Sequence, residues 1–208
     1  MAKHPFPGFL LVIEGIDGSG KTTQAQLVQK RLQGGKLSVA RTKEPTTGYW
    51  GQILRDSALT GRLSLEEEAE AFIKDRREHV ENVINPALKS GKVVLMDRYY
   101  FSTVAYQGAR GLDAGTLLRR NEEFAPEPDL LVLLDLDPKL GLKRIKDRGD
   151  KANYFEKACA LRKVRDIFLS LDKPYLYRLD ATQPPEALRE SIVRQFWAVF
   201  DRRLTRPR

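Results

Sequence analysis

The chain has 208 residues, of which 41% are hydrophobic and 31% charged, and its formal net charge is +8. This length supports one domain with a sizeable core, and the single cysteine excludes a disulfide framework or a cysteine-based zinc site. No apolar run approaches the ~20 residues of a membrane span, and no signal-peptide segment precedes Glu14, so we expect a cytoplasmic protein with no membrane partner.

Strand and helix patterns alternate along the chain. Short apolar or alternating runs predict strands at Phe9–Ile13, Leu37–Thr42, Val93–Met96, Leu130–Leu134 and Tyr175–Leu179. Apolar stripes at helical spacing predict helices at Thr22–Gln33, Ser64–Leu88, Thr103–Gln107, Ala114–Phe124, Pro138–Asp147 and Phe155–Leu171, and a last one through residues 188–199. The alternation favours an α/β protein with a five-stranded parallel sheet, in one domain over residues 1–208.

Local signals sharpen three of these predictions. Ser64 and Glu67 have the spacing of a capping box, and Asp137 precedes Pro138 as a helix N-cap does. Pro86 should kink the last turn of the long helix. His4 falls in a segment that we expect to be a flexible tail.

A glycine-rich motif comes directly after the first strand. It fits G-x-x-x-x-G-K-[ST], opens the next helix, and so predicts a site for a nucleoside triphosphate. Glycines allow a tight loop whose N–H groups point at phosphate oxygens, and the lysine adds a point charge. We expect ATP to contact nine residues of this loop: Gly15, Ile16, Asp17, Gly18, Ser19, Gly20, Lys21, Thr22 and Thr23.

The same motif implies a magnesium site. The Thr22 hydroxyl can ligate Mg²⁺, and a carboxylate at the end of a neighbouring strand should complete the protein ligands. Asp97 follows Val93–Met96 and is our choice. Asp135 is the alternative, although Asp135 and Asp137 can also cap the helix at Pro138.

The class of nucleotide protein is narrowed by what the chain lacks and by where its charge lies. No Asn-Lys-x-Asp motif for guanine is present, and a motor or helicase would normally need a longer chain. Residues 139–165 carry ten Lys or Arg against three acidic residues, and residues 202–208 carry four Arg and no acid. A polynucleotide would favour a broad basic face. The concentrated charge instead favours a small kinase with a mobile lid, and nucleic acid is not an expected partner.

Four ordered segments then carry a family resemblance. They are residues 14–24, the pair Glu44-Pro45, the pattern Phe72-x₃-Arg76-x₂-His79, and residues 97–108 with Asp97-Arg98-Tyr99-x₂-Ser102. Together they resemble the thymidylate kinase family. The resemblance implies a P-loop nucleoside-monophosphate-kinase fold with three layers and a small helical lid at about residues 144–156. It also implies transfer of the ATP γ-phosphoryl group to dTMP with Mg²⁺, giving dTDP, by a homodimer packed through helices such as Ser64–Leu88.

The resemblance also implies roles for individual residues. Phe72 matches the ring that stacks on thymine, Arg76 the group that hydrogen-bonds the base, and Arg98 the arginine that holds the acceptor phosphate. Asp17 matches a carboxylate near the sugar 3′-hydroxyl. The remaining residues expected at the acceptor nucleotide are Glu44, Pro45, Ser102, Thr103, Tyr106 and Gln107. From the residues alone, Phe72 could equally be core and Arg76 a solvated cation, and His79 has no role beyond packing.

The chain departs from the family pattern in two places. Gly18 stands where some members carry an arginine, so the catalytic arginine should come from the lid, where we choose Arg148 with Arg144 and Lys151 in reserve. The loop after the second strand reads Thr46-Thr47-Gly48 in place of Gly-Gly-Thr, and the adjoining Tyr49-Trp50 should either reshape the pocket or pack against the lid.

Other interpretations stay open at this point. The acceptor could be another nucleoside monophosphate such as dUMP or CMP, or the chain could be a nucleotide-binding module without turnover. Adenine is expected near residues 180–184, after the last strand.

Overall fold

The computed structural model describes residues 4–61, 63–147 and 154–204. Its strands are β1 (Phe9–Glu14), β2 (Val39–Lys43), β3 (Val93–Asp97), β4 (Leu130–Asp135) and β5 (Leu176–Asp180). Its helices are α1 (Lys21–Gly34), α2 (Tyr49–Thr60), α3 (Leu65–His79), a π-helical turn (Val80–Ile84), α4 (Asn85–Lys89), α5 (Tyr100–Ala109), α6 (Ala114–Glu122), α7 (Pro138–Lys146), α8 (Tyr154–Ser170) and α9 (Pro185–Leu204).

The described strands form one parallel sheet in the order β2-β3-β1-β4-β5. β1, β3 and most of β4 are buried on both faces, whereas the edge strands β2 and β5 are partly exposed. This pattern explains the continuous apolar runs, because helices cover both faces of such a sheet. The predicted α/β class with a five-stranded parallel sheet is confirmed.

The sheet register places the functional segments side by side. Ile13 of β1 lies opposite Asp97 of β3, and Glu14 lies opposite Leu133 of β4. The loop that leaves β1 therefore emerges next to the turn that leaves β3. Ligands of open α/β sheets bind at this carboxyl edge.

Two of the local predictions are confirmed. Ser64 Oγ accepts from Glu67 N at 3.2 Å while the Glu67 carboxylate accepts from Ser64 N at 2.8 Å, which completes the capping box. Asp137 accepts from Lys139 N at 2.8 Å and caps α7. Both arise from short-range spacing alone.

Pro86 acts differently from the predicted kink in the last turn. The helix continues through Lys89, and the turn before Pro86 widens into the π-helical Val80–Ile84, with Asn85 N bonded to Val80 O. Proline has no N–H and crowds the carbonyl four residues before it, and the wider turn accommodates both effects.

His4 does not lie in a flexible tail, so that prediction was wrong. Its side chain is buried, and Nε2 lies 3.1 Å from Asp129 Oδ2. The same Asp129 carboxylate accepts from Leu10 N at 2.8 Å and pairs with Arg203 at 2.5 Å. One buried carboxylate thus ties the N-terminal segment and α9 to the start of β1.

The segment after β2 also differs from the expected loop. It forms α2, which begins at Tyr49 and ends at Gly61 with a φ of 64°. Its buried side is small, with Leu54 and Ser57 as its buried side chains beside Gly51, and this weak apolar stripe explains why the sequence pattern did not predict it. In the described parts of the chain, no helix is both long enough and apolar enough to cross a membrane.

Candidate active site

The glycine motif forms a loop between β1 and α1. Gly18 and Gly20 have φ values of 82° and 95°, which are strained for other residues. Lys21 is buried, and its Nζ donates to Ile16 O at 2.8 Å. Burial and the nearby Arg98 guanidinium lower the pKa of the Lys21 ammonium to about 7. An anion at this loop would favour the charged form of Lys21, as expected of a phosphate site.

The predicted metal ligands are adjacent. Thr22 Oγ1, in the first turn of α1, donates to Asp97 Oδ2 at the end of β3 at 2.6 Å. Asp135, the alternative, is instead held by Arg165 through two hydrogen bonds of 2.6 and 2.9 Å. The described residues contain no cluster of three or more His, Cys, Asp or Glu that could hold a metal ion alone. A hydroxyl and one carboxylate suit Mg²⁺, which keeps waters and takes substrate phosphate oxygens.

A buried glutamate shapes the turn after β3. Glu14 accepts from Tyr99 N at 2.7 Å, Ser102 N at 3.0 Å and Ser102 Oγ at 2.7 Å. Burial raises the pKa of Glu14, while Arg98 and these hydrogen bonds oppose the rise. Directly before Tyr99, Arg98 has a φ of 70°, a conformation that costs a non-glycine residue free energy. The bonds to Glu14 hold the turn in that conformation.

Arg98 links this turn to the glycine loop. Its guanidinium pairs with the Asp17 carboxylate, donates to Ser102 Oγ at 3.2 Å, and lies 5.4 Å from the Tyr106 ring. Tyr106 OH in turn accepts from Asp17 N at 3.1 Å. Burial would raise the pKa of Asp17, but Arg98 and Lys21 hold it below its usual value. Asp17 therefore remains ionised between two cations.

A cavity of about 300 Å³ opens beside Arg98, between α3 and α5. Every residue predicted to bind the acceptor nucleotide lines this α3–α5 cavity: Glu44, Pro45, Phe72, Arg76, Arg98, Ser102, Thr103, Tyr106 and Gln107. Glu68, Tyr99 and Arg110 also line it, and sequence reasoning missed them. Glu68 precedes Phe72 by four residues and Arg110 follows Tyr106 by four, a spacing that could have revealed both.

Arg76 is not a solvated cation. It is 1% exposed, and it donates to Glu44 Oε2 at 2.8 Å, Asn121 Oδ1 at 2.6 Å and Thr103 Oγ1 at 3.1 Å. Burial would raise the pKa of Glu44, but Arg76 and His79 hold it below its usual value. The site thus contains a buried ion pair whose guanidinium faces the cavity.

His79 does more than pack, which corrects the sequence interpretation. Its Nδ1 lies 3.1 Å from Glu44 Oε1, and its Nε2 lies 2.8 Å from Thr42 Oγ1. His79 therefore joins the end of β2 to the Glu44–Arg76 pair. The spacing Phe72-x₃-Arg76-x₂-His79 placed all three on one side of the helix but did not indicate this partner.

The unusual loop after Glu44 is fixed by α3 and α2. Thr46 N and Oγ1 donate to the Asp75 carboxylate at 2.8 and 2.5 Å, and Arg55 donates to Thr46 O at 2.6 Å. Trp50 packs under Lys74 of α3, with Nζ 4.3 Å from the ring centroid, and Tyr49 is 69% exposed. Neither aromatic ring lines the α3–α5 cavity, so of the two alternatives for this pair the structure does not support a direct part in shaping the pocket.

Part of the predicted lid, including Arg148 and Lys151, lies outside the described residues. Arg144, at the end of α7, is described: it donates to Ala181 O at 3.0 Å and to Gly18 O at 3.5 Å. It therefore joins the glycine loop to the residues after β5, where adenine is expected.

At position 18, where some family members carry an arginine, α7 leaves no room for a side chain. A Cβ at position 18 would lie 2.3 Å from the carbonyl oxygen of Gly141. A Cβ at position 141 would lie 2.6 Å from Asp17 O. Two glycines thus allow α7 to rest directly on the glycine loop, and no side chain fits at position 18.

Comparison with known proteins shows which family the chain belongs to. The family model described as Thymidylate kinase matches residues 13–192. The chain belongs to the thymidylate kinase family. The resemblance noted in the sequence is thereby confirmed.

Similar proteins of several bacteria carry the same description. The thymidylate kinase of Xanthomonas euvesicatoria pv. vesicatoria (strain 85-10) is 52% identical over 193 residues, which cover 93% of this chain and 83% of that protein. That of Akkermansia muciniphila is 51% identical over 174 residues, covering 84% of each chain. That of Xylella fastidiosa (strain M23) is 50% identical over 181 residues, covering 87% of this chain and 83% of that protein.

The contact between Gly18 and Gly141 yields a first prediction. Introducing the arginine that some family members carry, by Gly18→Arg, should lower the turnover number at least about tenfold, because α7 must move off the loop that holds Asp17 and Lys21. Steady-state phosphoryl-transfer kinetics measure this effect. Gly91→Arg is the matched control, since Gly91 has a φ of 74° and open space around it. Full activity of Gly18→Arg would contradict this explanation.

The buried pair of Glu44 and Arg76 yields a second prediction. Glu44→Gln leaves the Arg76 charge uncompensated, so the free energy of unfolding at pH 7 should fall by about 3–5 kcal/mol. Because the pKa of Glu44 is lowered on folding from 4.5, its stabilisation is complete above that pH and is lost as the pH falls through the folded value.

Urea unfolding at a series of pH values measures both effects. The difference in stability between the native chain and Glu44→Gln should narrow below about pH 4.5. The exposed Glu81, changed to Gln, is the control on the same helical segment. A difference that stays constant down to the acid transition would show that the carboxylate charge is not responsible.

Proposed function

We propose that this chain is a nucleoside monophosphate kinase that transfers the γ-phosphoryl group of ATP to dTMP, giving ADP and dTDP. The observation that carries the proposal is the position of Arg98, which lines the α3–α5 cavity and also pairs with Asp17 of the glycine loop. One guanidinium therefore borders the places for both nucleotides. The family membership and the names of the relatives support the same activity.

In this reaction an oxygen of the dTMP phosphate attacks the γ-phosphorus of ATP. A new P–O bond forms as the bond from the γ-phosphorus to the β–γ bridging oxygen breaks, and ADP leaves. The second pKa of a phosphate monoester is roughly 6, so the acceptor is already anionic near neutral pH and no general base is required. Catalysis then rests on alignment and on neutralisation of negative charge.

The residues of the site have distinct parts in that alignment. Lys21 and the loop N–H groups hold the β- and γ-phosphates, and Arg98 holds the acceptor phosphate against the P-loop side of the cavity. Arginine suits this task because its planar fork can donate two hydrogen bonds to one phosphate. Asp17, held ionised by Arg98 and Lys21, orients Arg98 and, as the family resemblance implies, would lie near the sugar 3′-hydroxyl.

The site fits Mg²⁺ with ATP as co-substrate. Thr22 Oγ1 and the Asp97 carboxylate would hold the ion, since they already lie 2.6 Å apart at the start of α1. When bound, Mg²⁺ supplies positive charge to the oxygens of the β- and γ-phosphates. Asp135 is engaged by Arg165 and is not needed for this role.

Selection of thymine over cytosine has support in Gln107. This residue is 3% exposed and lines the cavity, and its Oε1 has no hydrogen-bond partner in the described part of the chain. Thymine and uracil present an N3–H donor, whereas N3 of cytosine is an acceptor. A buried acceptor that meets another acceptor stays unsatisfied, which costs free energy. Phe72 and Arg76 would stack on and hydrogen-bond the same base.

The remaining expectations extend this proposal. The kinase would form one domain over residues 1–208, with a lid at about residues 144–156, and would act in the cytoplasm. A homodimer packed through the Ser64–Leu88 segment is consistent with the exposure of Val83 (41%) in the π-helical turn. A binding module without turnover is disfavoured, because Lys21, Arg98 and the Thr22–Asp97 pair are all in place.

A nucleotide panel tests the activity. With ATP and Mg²⁺, ADP release should be fastest with dTMP, about 10–200-fold slower in kcat/KM with dUMP, which lacks one methyl group, and slower still with CMP. Chelation of Mg²⁺ should abolish turnover. Comparable rates with CMP would contradict thymine selection, and ATP binding without ADP release in any mixture would favour the non-catalytic module instead.

The lid arginine is tested separately. Arg148→Ala should lower kcat by at least about tenfold with little change in either KM, because an arginine that closes on the transferring group can contribute roughly 10³–10⁵ in rate. Arg144→Ala and Lys151→Ala measure the alternatives, and Arg162→Ala is the control, since Arg162 is an exposed cation on α8. A smaller effect at Arg148 than at Arg144 would move the role to Arg144.

A further inference from the structure

We infer that the ion pair between Glu68 and Arg110 closes the base end of the acceptor cavity and restricts it to single-ring bases. This inference rests on the proposed function, since it assumes that the α3–α5 cavity holds a nucleoside monophosphate. Both residues line the cavity, and Arg110 Nη1 pairs with Glu68 Oε2. We call these two residues the base-end pair.

The walls of the cavity are two stripes at four-residue spacing. Glu68, Phe72 and Arg76 succeed one another along α3, while Ser102 and Tyr106 lie on α5 and Arg110 caps its C-terminus. Residues four apart lie on one side of a helix and are separated by about 6 Å along its axis. The cavity therefore has one wall on each helix, and Glu44 and Pro45 line it from the segment after β2.

The two ends of the cavity differ in charge and partners. Arg98 marks one end, where it pairs with Asp17 beside the glycine loop. The hydrogen bond of 3.1 Å from Arg76 to Thr103 lies near the same end, because Thr103 follows Ser102, to which Arg98 donates. The base-end pair lies at the other end, about 12 Å along α5 from Ser102. A phosphate held at Arg98 places the sugar and then the base along the cavity, so the base points toward the pair.

Both helix ends favour the base-end pair. Glu68 lies in the first turn of α3, where the helix dipole favours a carboxylate, and Arg110 is the C-cap of α5, where the dipole favours a cation. The capping box at Ser64 also fixes this turn. The Glu68 side chain is 17% exposed, so its charge would lose its partner in a partly desolvated place if a larger base displaced Arg110.

This arrangement predicts which bases fit. A pyrimidine base ends before the pair and leaves the ion pair intact. A purine is longer by a fused ring, and its outer edge would have to separate Glu68 from Arg110. The pair therefore selects by length, in addition to the hydrogen bonding at Gln107 and Arg76.

The test compares dTMP and dGMP as acceptors in the full-length enzyme with ATP and Mg²⁺. Glu68→Ala and Arg110→Ala should each lower the ratio of kcat/KM for dTMP to that for dGMP by about tenfold or more, since each change opens the same end. Arg110→Lys keeps a cation opposite Glu68 and should retain most of the native ratio. Competition of dGMP against dTMP gives a second readout that does not need dGMP to react.

The chain offers a matched control. Glu70 of α3 pairs with Arg120 of α6 at 2.6 Å, and neither residue lines the cavity. Glu70→Ala and Arg120→Ala should leave the dTMP-to-dGMP ratio unchanged. A general loss of helix packing would lower both activities in proportion, whereas removal of a barrier changes their ratio.

The outcomes separate the inference from the proposed function. A native ratio and unchanged dGMP competition in both alanine variants, with dTMP turnover retained, would overturn the role of the base-end pair alone. Absence of dTMP turnover in the unmodified enzyme would overturn the proposed function. Weaker discrimination in the alanine variants, restored in Arg110→Lys, supports the inference.

Discussion

The buried carboxylate of Glu14 holds the two halves of this site together. It is the last residue of β1, so the glycine loop begins beside it, and it binds the backbone of Tyr99 and Ser102 in the turn after β3. A parallel sheet brings these strand ends to one edge but does not fix the conformation of the loops beyond them. Glu14 supplies that constraint, and it holds Arg98 in a backbone conformation that the residue would not otherwise prefer.

A second buried charge organises the base side of the cavity. Glu44 receives Arg76 and His79, so β2 and α3 are joined by one carboxylate, and Thr46 is joined to Asp75 directly after it. Buried pairs of this kind contribute little net stability, but losing one partner is strongly destabilising. The cavity wall is therefore rigid where the base would lie. On the other side of the site, α7 is joined to the segment after β5 through the hydrogen bond from Arg144 to Ala181 O.

Sequence reasoning was sufficient where the signal is local. The apolar run of β1, the capping box at Ser64 and the glycine motif are read within a few residues, and four-residue spacing placed Phe72 with Arg76 correctly. It failed where partners are distant: His4 pairs with Asp129, 125 residues away, and the loop before α2 is held through Thr46 by Asp75, 29 residues away. Glu68 and Arg110 each look like solvent-facing charges until α3 and α5 are packed together.

The direct contact between Gly18 and Gly141 has an evolutionary consequence. A Cβ at position 18 would clash with Gly141 O, and a Cβ at position 141 would clash with Asp17 O, in addition to the φ of 82° at Gly18. The two positions are therefore epistatic: the effect of a substitution at one depends on how closely α7 docks on the glycine loop. A lineage in which the catalytic arginine moved from the lid to the glycine loop could not make this change by a single substitution at position 18. In such a lineage α7 would first have to move away from the glycine loop. Substitutions at positions 18 and 141 should therefore occur together in evolution.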